Sequence, residues 1–175
     1  MLNSVLIKLK TLFLLRHADA DWGPKGSKDF DRVLSPVGQE QCTLVANYLK
    51  QQDCMPDIVI SSNAVRAFET AERVKIALNT NWDIKKNAEL YLSNTTQLIE
   101  EIQLISDNYN HAMIIGHNPT LHETSWLLSS KSDSGLMTEI EKGFPPATLT
   151  THSFTTNQWA DVDKGKGVLQ GIFKV

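Results

Sequence analysis

Along the chain, short wholly apolar runs alternate with longer stretches in which apolar residues recur every three or four positions. The first pattern suits strands buried on both faces and the second suits amphipathic helices. Their alternation predicts an α/β domain with a mainly parallel central sheet. Residues 11–15 form the first predicted strand. A polar, glycine-containing loop over 19–33 follows, and Ser35 with Pro36 then supplies an N-cap and first-turn pair. Leu44, Val45, Tyr48 and Leu49 recur at helical spacing behind that pair. After Pro56 and Asp57, residues 58–60 form a second apolar run. Ser61, Ser62 and Asn63 offer a cap for a helix lined by Ala67, Ala71, Val74 and Leu78.

The pattern then weakens. Residues 82–86 read as a third strand, followed by a helix carrying Leu98, Ile102 and Ile105, capped at Asn94 with Gln97 three residues later. Residues 111–115 form another buried run, and Asn118 with Pro119 opens a helix reaching about residue 129. Residues 130–142 read as a polar, flexible loop and a candidate rim for a site. Residues 147–154 and 168–175 look like closing strands, joined through a turn that holds Asp161, Asp163, Gly165 and Gly167. No internal repeat or linker interrupts the 175 residues, so one domain over 1–175 is expected.

Charge narrows the classes of function. Seventeen Lys and Arg against twenty Asp and Glu leave a net charge of -3, which provides no basic field for nucleic acid. The two cysteines, Cys42 and Cys54, match no zinc or redox spacing and read as free thiols of a reducing compartment. Lys8 and Lys10 interrupt the N-terminal apolar stretch, and no signal-peptide core or membrane-length apolar run is present. The expectation is a soluble, cytoplasmic, monomeric protein that engages neither membrane nor nucleic acid.

Candidate chemistry collects where strands end. Arg16 and His17 follow the first strand, Arg66 falls in the first turn after the second, and His117 follows the later run. Open parallel sheets bind ligands beyond the carboxyl ends of their strands, so these distant residues can converge. Two arginines beside two helix N-termini describe an anion site, most naturally for phosphate. The histidines add reactivity, because a neutral imidazole can attack phosphorus and split one displacement into two easier ones. Arginine neighbours would lower the His17 pKa and keep it nucleophilic, while Arg16, Arg66 and a second imidazole stabilise the transferred group.

Other polar residues receive milder readings. His117 and His122 are about 140° apart around a helix, so with Glu123 they do not form a metal motif. His111 and His152 read as partly buried or edge residues. Asp19 and Asp21 read as solvated or capping, although Asp19 is also a candidate acid. Lys25, Lys28 and Arg32 interleave with Asp29 and Asp31 and read as a mixed solvated loop. Trp22, Trp82, Trp126 and Trp159 read as core or rim packing.

Taken together, Leu14-Leu15-Arg16-His17-Ala18, the stretch from Ser61 to Ala67 with Thr70-Ala71, and Ile115-Gly116-His117-Asn118-Pro119 resemble the histidine phosphatase superfamily. The Arg-His-Ala-Asp-Ala opening, the Leu-Ser-Pro-Val-Gly helix start and the Gly-His-Asn-Pro signature are similar to its SixA-type phosphohistidine phosphatases. The resemblance implies a three-layer α/β/α sandwich of the phosphoglycerate-mutase-like fold, with His17 as the phosphorylated nucleophile and Arg16, Arg66 and His117 around the phosphoryl group. It implies no metal or organic cofactor. Ala18 stands where glycine commonly follows the histidine, a change the SixA-like group tolerates. Glu89 only loosely suits the position of the family's acid, and is assigned as the proton donor on that basis.

A weak acid has a chemical consequence. An alkoxide needs protonation to leave, whereas phosphohistidine carries a labile P–N bond, so the pattern favours a phosphorylated protein over a sugar phosphate. The alternatives are a broad phosphomonoesterase acting on small phosphorylated substrates or phosphoproteins, and a non-catalytic phosphate-binding module. A mutase is disfavoured, since little chain is available to shield a phosphorylated intermediate from water.

Overall fold

The computed structural model describes residues 9–52, 55–129 and 134–175, so the reading of Cys54 and the segment 130–133 lie outside the described residues. Six strands form one sheet: β1 (Leu9–Arg16), β2 (Ile58–Ser62), β3 (Ile84–Asn87), β4 (His111–Gly116), β5 (Leu149–Thr155) and β6 (Val168–Phe173). Their spatial order is β3-β2-β4-β1-β5-β6. β3, β2, β4 and β1 run parallel, whereas β5 is antiparallel to both β1 and β6, making the sheet mixed.

The apolar runs at the centre are uninterrupted because both sheet faces are covered. Phe13 and Leu15 of β1, with Met113 and Ile115 of β4, pack beneath α1 (Pro36–Leu49) and α2 (Val65–Leu78). Leu12 and Leu14, with Ala112 and Ile114, face the opposite layer, which contains α3 (Thr95–Gln103) and α4 (Thr120–Leu128). Period-two alternation thus divides one apolar run between two cores, producing the three-layer α/β/α arrangement. Each fully buried Leu or Phe contributes roughly 1.5–3 kcal/mol relative to exposure.

Local signals set most boundaries. The Ser35 side chain accepts the Gly38 N–H to cap α1, with Pro36 in the first turn. Asn94 and Gln97 form the reciprocal capping box of α3. By contrast, the N-cap of α2 is Ala64, which has no side-chain cap, although Ser62 Oγ accepts the Ala64 N–H at 3.3 Å. α4 begins at Thr120, after a cis Asn118–Pro119 peptide.

Four expectations are corrected by tertiary packing. The segment read as part of a loop contains α5 (Ser134–Glu141), which packs against α4 and β6 and buries Ile140. His152 is fully buried rather than at an edge, within hydrogen-bond distance of Ser125 Oγ (3.0 Å) and Thr150 Oγ1 (3.1 Å). Trp159 is core, but Trp22 and Trp126 are exposed, with Trp22 lying under the Arg32 guanidinium at 3.9 Å. Leu44, on the predicted apolar stripe of α1, is also exposed. Among the described residues, no helix is long and apolar enough to cross a membrane.

Candidate active site

The parallel ladder between β1 and β4 ends at the pair Arg16 and Gly116. His17 and His117 are therefore the next residues on two adjacent strands, and their ring centroids lie 5.2 Å apart. β2 lies on the other side of β4 and ends at Ser62, whose Oγ is 2.9 Å from His117 Nε2. The following turn enters α2, placing Arg66 at its second residue with Nε 3.2 Å from His17 Nε2. Three strand ends thereby bring together His17, Arg66 and His117, residues separated in sequence by 49 and 51 positions.

His17 is held in one tautomer. Its Nδ1 lies 2.8 Å from the Ala18 carbonyl, which can only accept, so Nδ1 carries the proton. Nε2 then keeps its lone pair, consistent with accepting the Arg66 Nε–H. The ring is 7% exposed, and its pKa is lowered to about 4, chiefly by burial and then by Arg66, Arg16 and Arg32 against the opposing Ala18 hydrogen bond. Arginine neighbours act in the expected direction, but burial dominates. His117 is lowered to about 3, again mainly by burial, with help from His17 and Arg66.

The surrounding backbone is tied down by long-range contacts. Thr70 Oγ1 accepts the Ala18 N–H at 3.0 Å and donates to the Arg66 carbonyl at 2.7 Å, joining the His17 loop to α2. Ala147 N–H donates to the His17 carbonyl at 3.1 Å. Arg16 Nη1 and Asn118 Nδ2 both donate to the Phe144 carbonyl, at 2.7 and 2.8 Å. Arg16 Nε, His117 Nδ1 and Asn118 Oδ1 are buried without a hydrogen-bond partner among the described residues. The set offers an imidazole nitrogen that keeps its lone pair, a second neutral imidazole and two guanidinium groups near the strand ends, a composition suited to an oxyanion.

The proposed acids have different surroundings. Asp19 accepts from Ser35 Oγ at 2.6 Å and so supports the start of α1, in keeping with its capping role. Glu89 is exposed in a 3₁₀ turn (Ala88–Leu90), where its backbone N–H donates to Asn87 Oδ1. That turn leads to Tyr91, whose ring lies edge-on to His117 with centroids 5.5 Å apart.

Two contributors were not legible as site residues. Asp29, read as part of a solvated loop, accepts from Arg66 Nη2 at 2.9 Å and from Tyr91 Oη at 2.9 Å. Phe144 contributes through its carbonyl, which is independent of residue type. Asp29 and Arg66 are 37 positions apart and share no local motif, so only an interleaved charge pattern hinted at the pairing. Among the described residues, no three His, Cys, Asp or Glu residues converge as a potential metal-ligand set.

Known proteins share the sequence family and the fold. A profile of the histidine phosphatase superfamily (branch 1) matches residues 12–109. An uncharacterized protein of Mycobacterium tuberculosis is 30% identical over 160 residues, covering 90% of this chain and 98% of its own. Among solved structures, a protein provisionally described as phosphohistidine phosphatase SixA from Nakamurella multipartitia has TM-score 0.80 and 26% identity, covering 95% of this chain and 96% of its own. A similarly described protein from Agrobacterium tumefaciens has TM-score 0.78 and 25% identity, with coverage of 95% and 98%.

Proposed function

Because the chain belongs to the histidine phosphatase superfamily, we propose that it is a phosphatase that removes phosphate from phosphohistidine on a protein. The observation that carries this reading is the His17 ring, whose Nε2 lone pair faces the Arg66 Nε–H while Nδ1–H is committed to the Ala18 carbonyl. Nε2 attacks phosphorus in line, its new N–P bond forming as the substrate's P–N bond breaks. Arg16, Arg66 and His117 stabilise charge on the equatorial oxygens. Water then attacks the phosphorylated His17, releasing inorganic phosphate and restoring the neutral imidazole.

The choice of phosphoramidate over phosphate ester rests on the leaving group. Glu89 is assigned as the proton donor on the family resemblance; its carboxyl is exposed and contacts neither His17 nor His117 among the described residues, and a labile P–N bond makes only a modest demand for protonation. Likeness to the two SixA-like proteins supports the same substrate class. The test compares phosphate release from a phosphohistidine-bearing protein and from p-nitrophenyl phosphate, using wild type and His17→Ala. Preference for phosphohistidine with an inactive variant is expected. Faster turnover of the ester identifies a broad phosphomonoesterase, and no His17-dependent turnover of either substrate leaves a phosphate-binding module.

A further inference from the structure

Arg66 is gripped from its far end by a single residue. Nη1 donates to the Asp29 backbone carbonyl at 2.6 Å and Nη2 to the Asp29 carboxylate at 2.9 Å. The remaining nitrogen, Nε, faces His17 Nε2. Among the described residues, His17 and Asp29 are the hydrogen-bond partners of this head group. A guanidinium is planar, so anchoring both terminal nitrogens fixes its rotation as well as its place.

The carboxylate doing the gripping is itself held. Tyr91 Oη donates to the same Asp29 oxygen, and Arg32 Nη1 donates to the other at 3.3 Å. The Tyr91 ring packs edge-on against Phe30 and His117, with centroids 5.1 and 5.5 Å apart. Asp29 therefore links the loop after β1, the arginine of α2 and the aromatic ring beside His117. Its side chain is 46% exposed whereas that of Arg66 is 7% exposed, so Asp29 both pairs a buried guanidinium and fixes its orientation.

We propose that Asp29 is a positioning residue that presents the Nε edge of Arg66 to the phosphoryl group at His17. This rests on His17 as the phosphoryl acceptor, since the edge in question is the one beside Nε2. An oxyanion oxygen would take over the Nε–H now shared with the lone pair, while the Asp29 grip keeps the guanidinium plane unchanged.

The test uses Asp29→Ala and Asp29→Asn in the full chain, with vanadate affinity, kcat and KM on phosphohistidine, Tm, and the NMR signal of the Arg66 Nε–H. Asp29→Ala is expected to weaken vanadate binding about tenfold and lower kcat/KM by about 10–100-fold, with a fall in Tm that Asp29→Asn largely restores. It should also broaden or shift the Nε–H signal. Asp29→Asn, which keeps one side-chain oxygen for Arg66 Nη2 beside the backbone carbonyl that both variants retain, should recover most of each effect. An unchanged Nε–H signal in Asp29→Ala, or an equal loss in Asp29→Asn accompanied by a fall in Tm, overturns the proposal. If wild type neither binds vanadate nor turns over phosphohistidine, the phosphatase reading fails, while the Nε–H signal still decides whether Asp29 holds Arg66.

Discussion

Gly38 and Asp19 are in backbone contact: a Cβ built on Gly38 would lie 2.0 Å from the Asp19 carbonyl oxygen. Gly38 occupies the first turn of α1, and Asp19 is two residues beyond His17. The same carbonyl accepts the Ser35 N–H at 3.1 Å, so the cap of α1 and the loop carrying His17 are built onto each other. Glycine is required here by close approach.

Gly38→Ala should consequently displace the segment from His17 to Asp19. A loss of at least about 1–3 kcal/mol is expected from overpacking, together with much weaker oxyanion binding. Denaturant unfolding and vanadate titration of the same preparation check both effects, and wild-type values in either would contradict the contact.

Thr70 offers a subtler perturbation. Thr70→Val preserves shape but removes the acceptor of the buried Ala18 N–H and the donor to the Arg66 carbonyl. Leaving Ala18 unsatisfied should cost about 1–3 kcal/mol, whereas Thr70→Ser should lose less than half as much. Equilibrium unfolding of the two variants provides the comparison.

The His17 ring should remain neutral well below the range of an ordinary imidazole. With its pKa lowered to about 4, the nucleophilic form persists as pH falls from 7 toward 5. An ordinary imidazole would be half charged at about pH 6.5. NMR titration of the ring should show its main change near pH 4, and a midpoint near 6.5 would remove the burial argument.

His152 makes stability depend on pH with a definite sign. Burial lowers its pKa to about 3, so below the unfolded value of 6.5 the unfolded chain binds more protons. The stabilisation is complete above that value and declines as pH falls toward the folded one, with a slope approaching about 1.4 kcal/mol per pH unit. His17 and His117 contribute with the same sign. His152→Gln should flatten the decline between pH 6 and 4 without abolishing it. Chemical denaturation across that range measures the difference, and parallel curves would argue against a neutral buried His152.

The main elements and the convergence of the candidate residues at strand ends were readable because their signals are local. An apolar run such as Leu12 to Leu15 requires cover on both faces, and Ser35-Pro36 or Asn94 with Gln97 starts a helix by chemistry contained within four residues. Arg16, His17, Arg66 and His117 stand at strand ends or a helix start, and the placement of strand ends in a parallel sheet follows from the alternation itself. The reading of 134–141 as part of a loop failed because polarity is a property of α5's exposed residues, while its helical state depends on packing against α4 and β6.

What the sequence by itself determined is the set of chemical groups and the strand or helix character of each apolar stripe, since both follow from residue type and period. Tertiary structure alone decided the β3-β2-β4-β1-β5-β6 order, the burial of His152, the grip of Asp29 on Arg66 and the Tyr91 hydrogen bond to Asp29. Asp29 and Tyr91 lie 62 positions apart, and neither residue type nor local spacing encodes their meeting. A hydrogen bond needs only complementary atoms at the right distance, and that distance is set by how the whole chain folds back on itself.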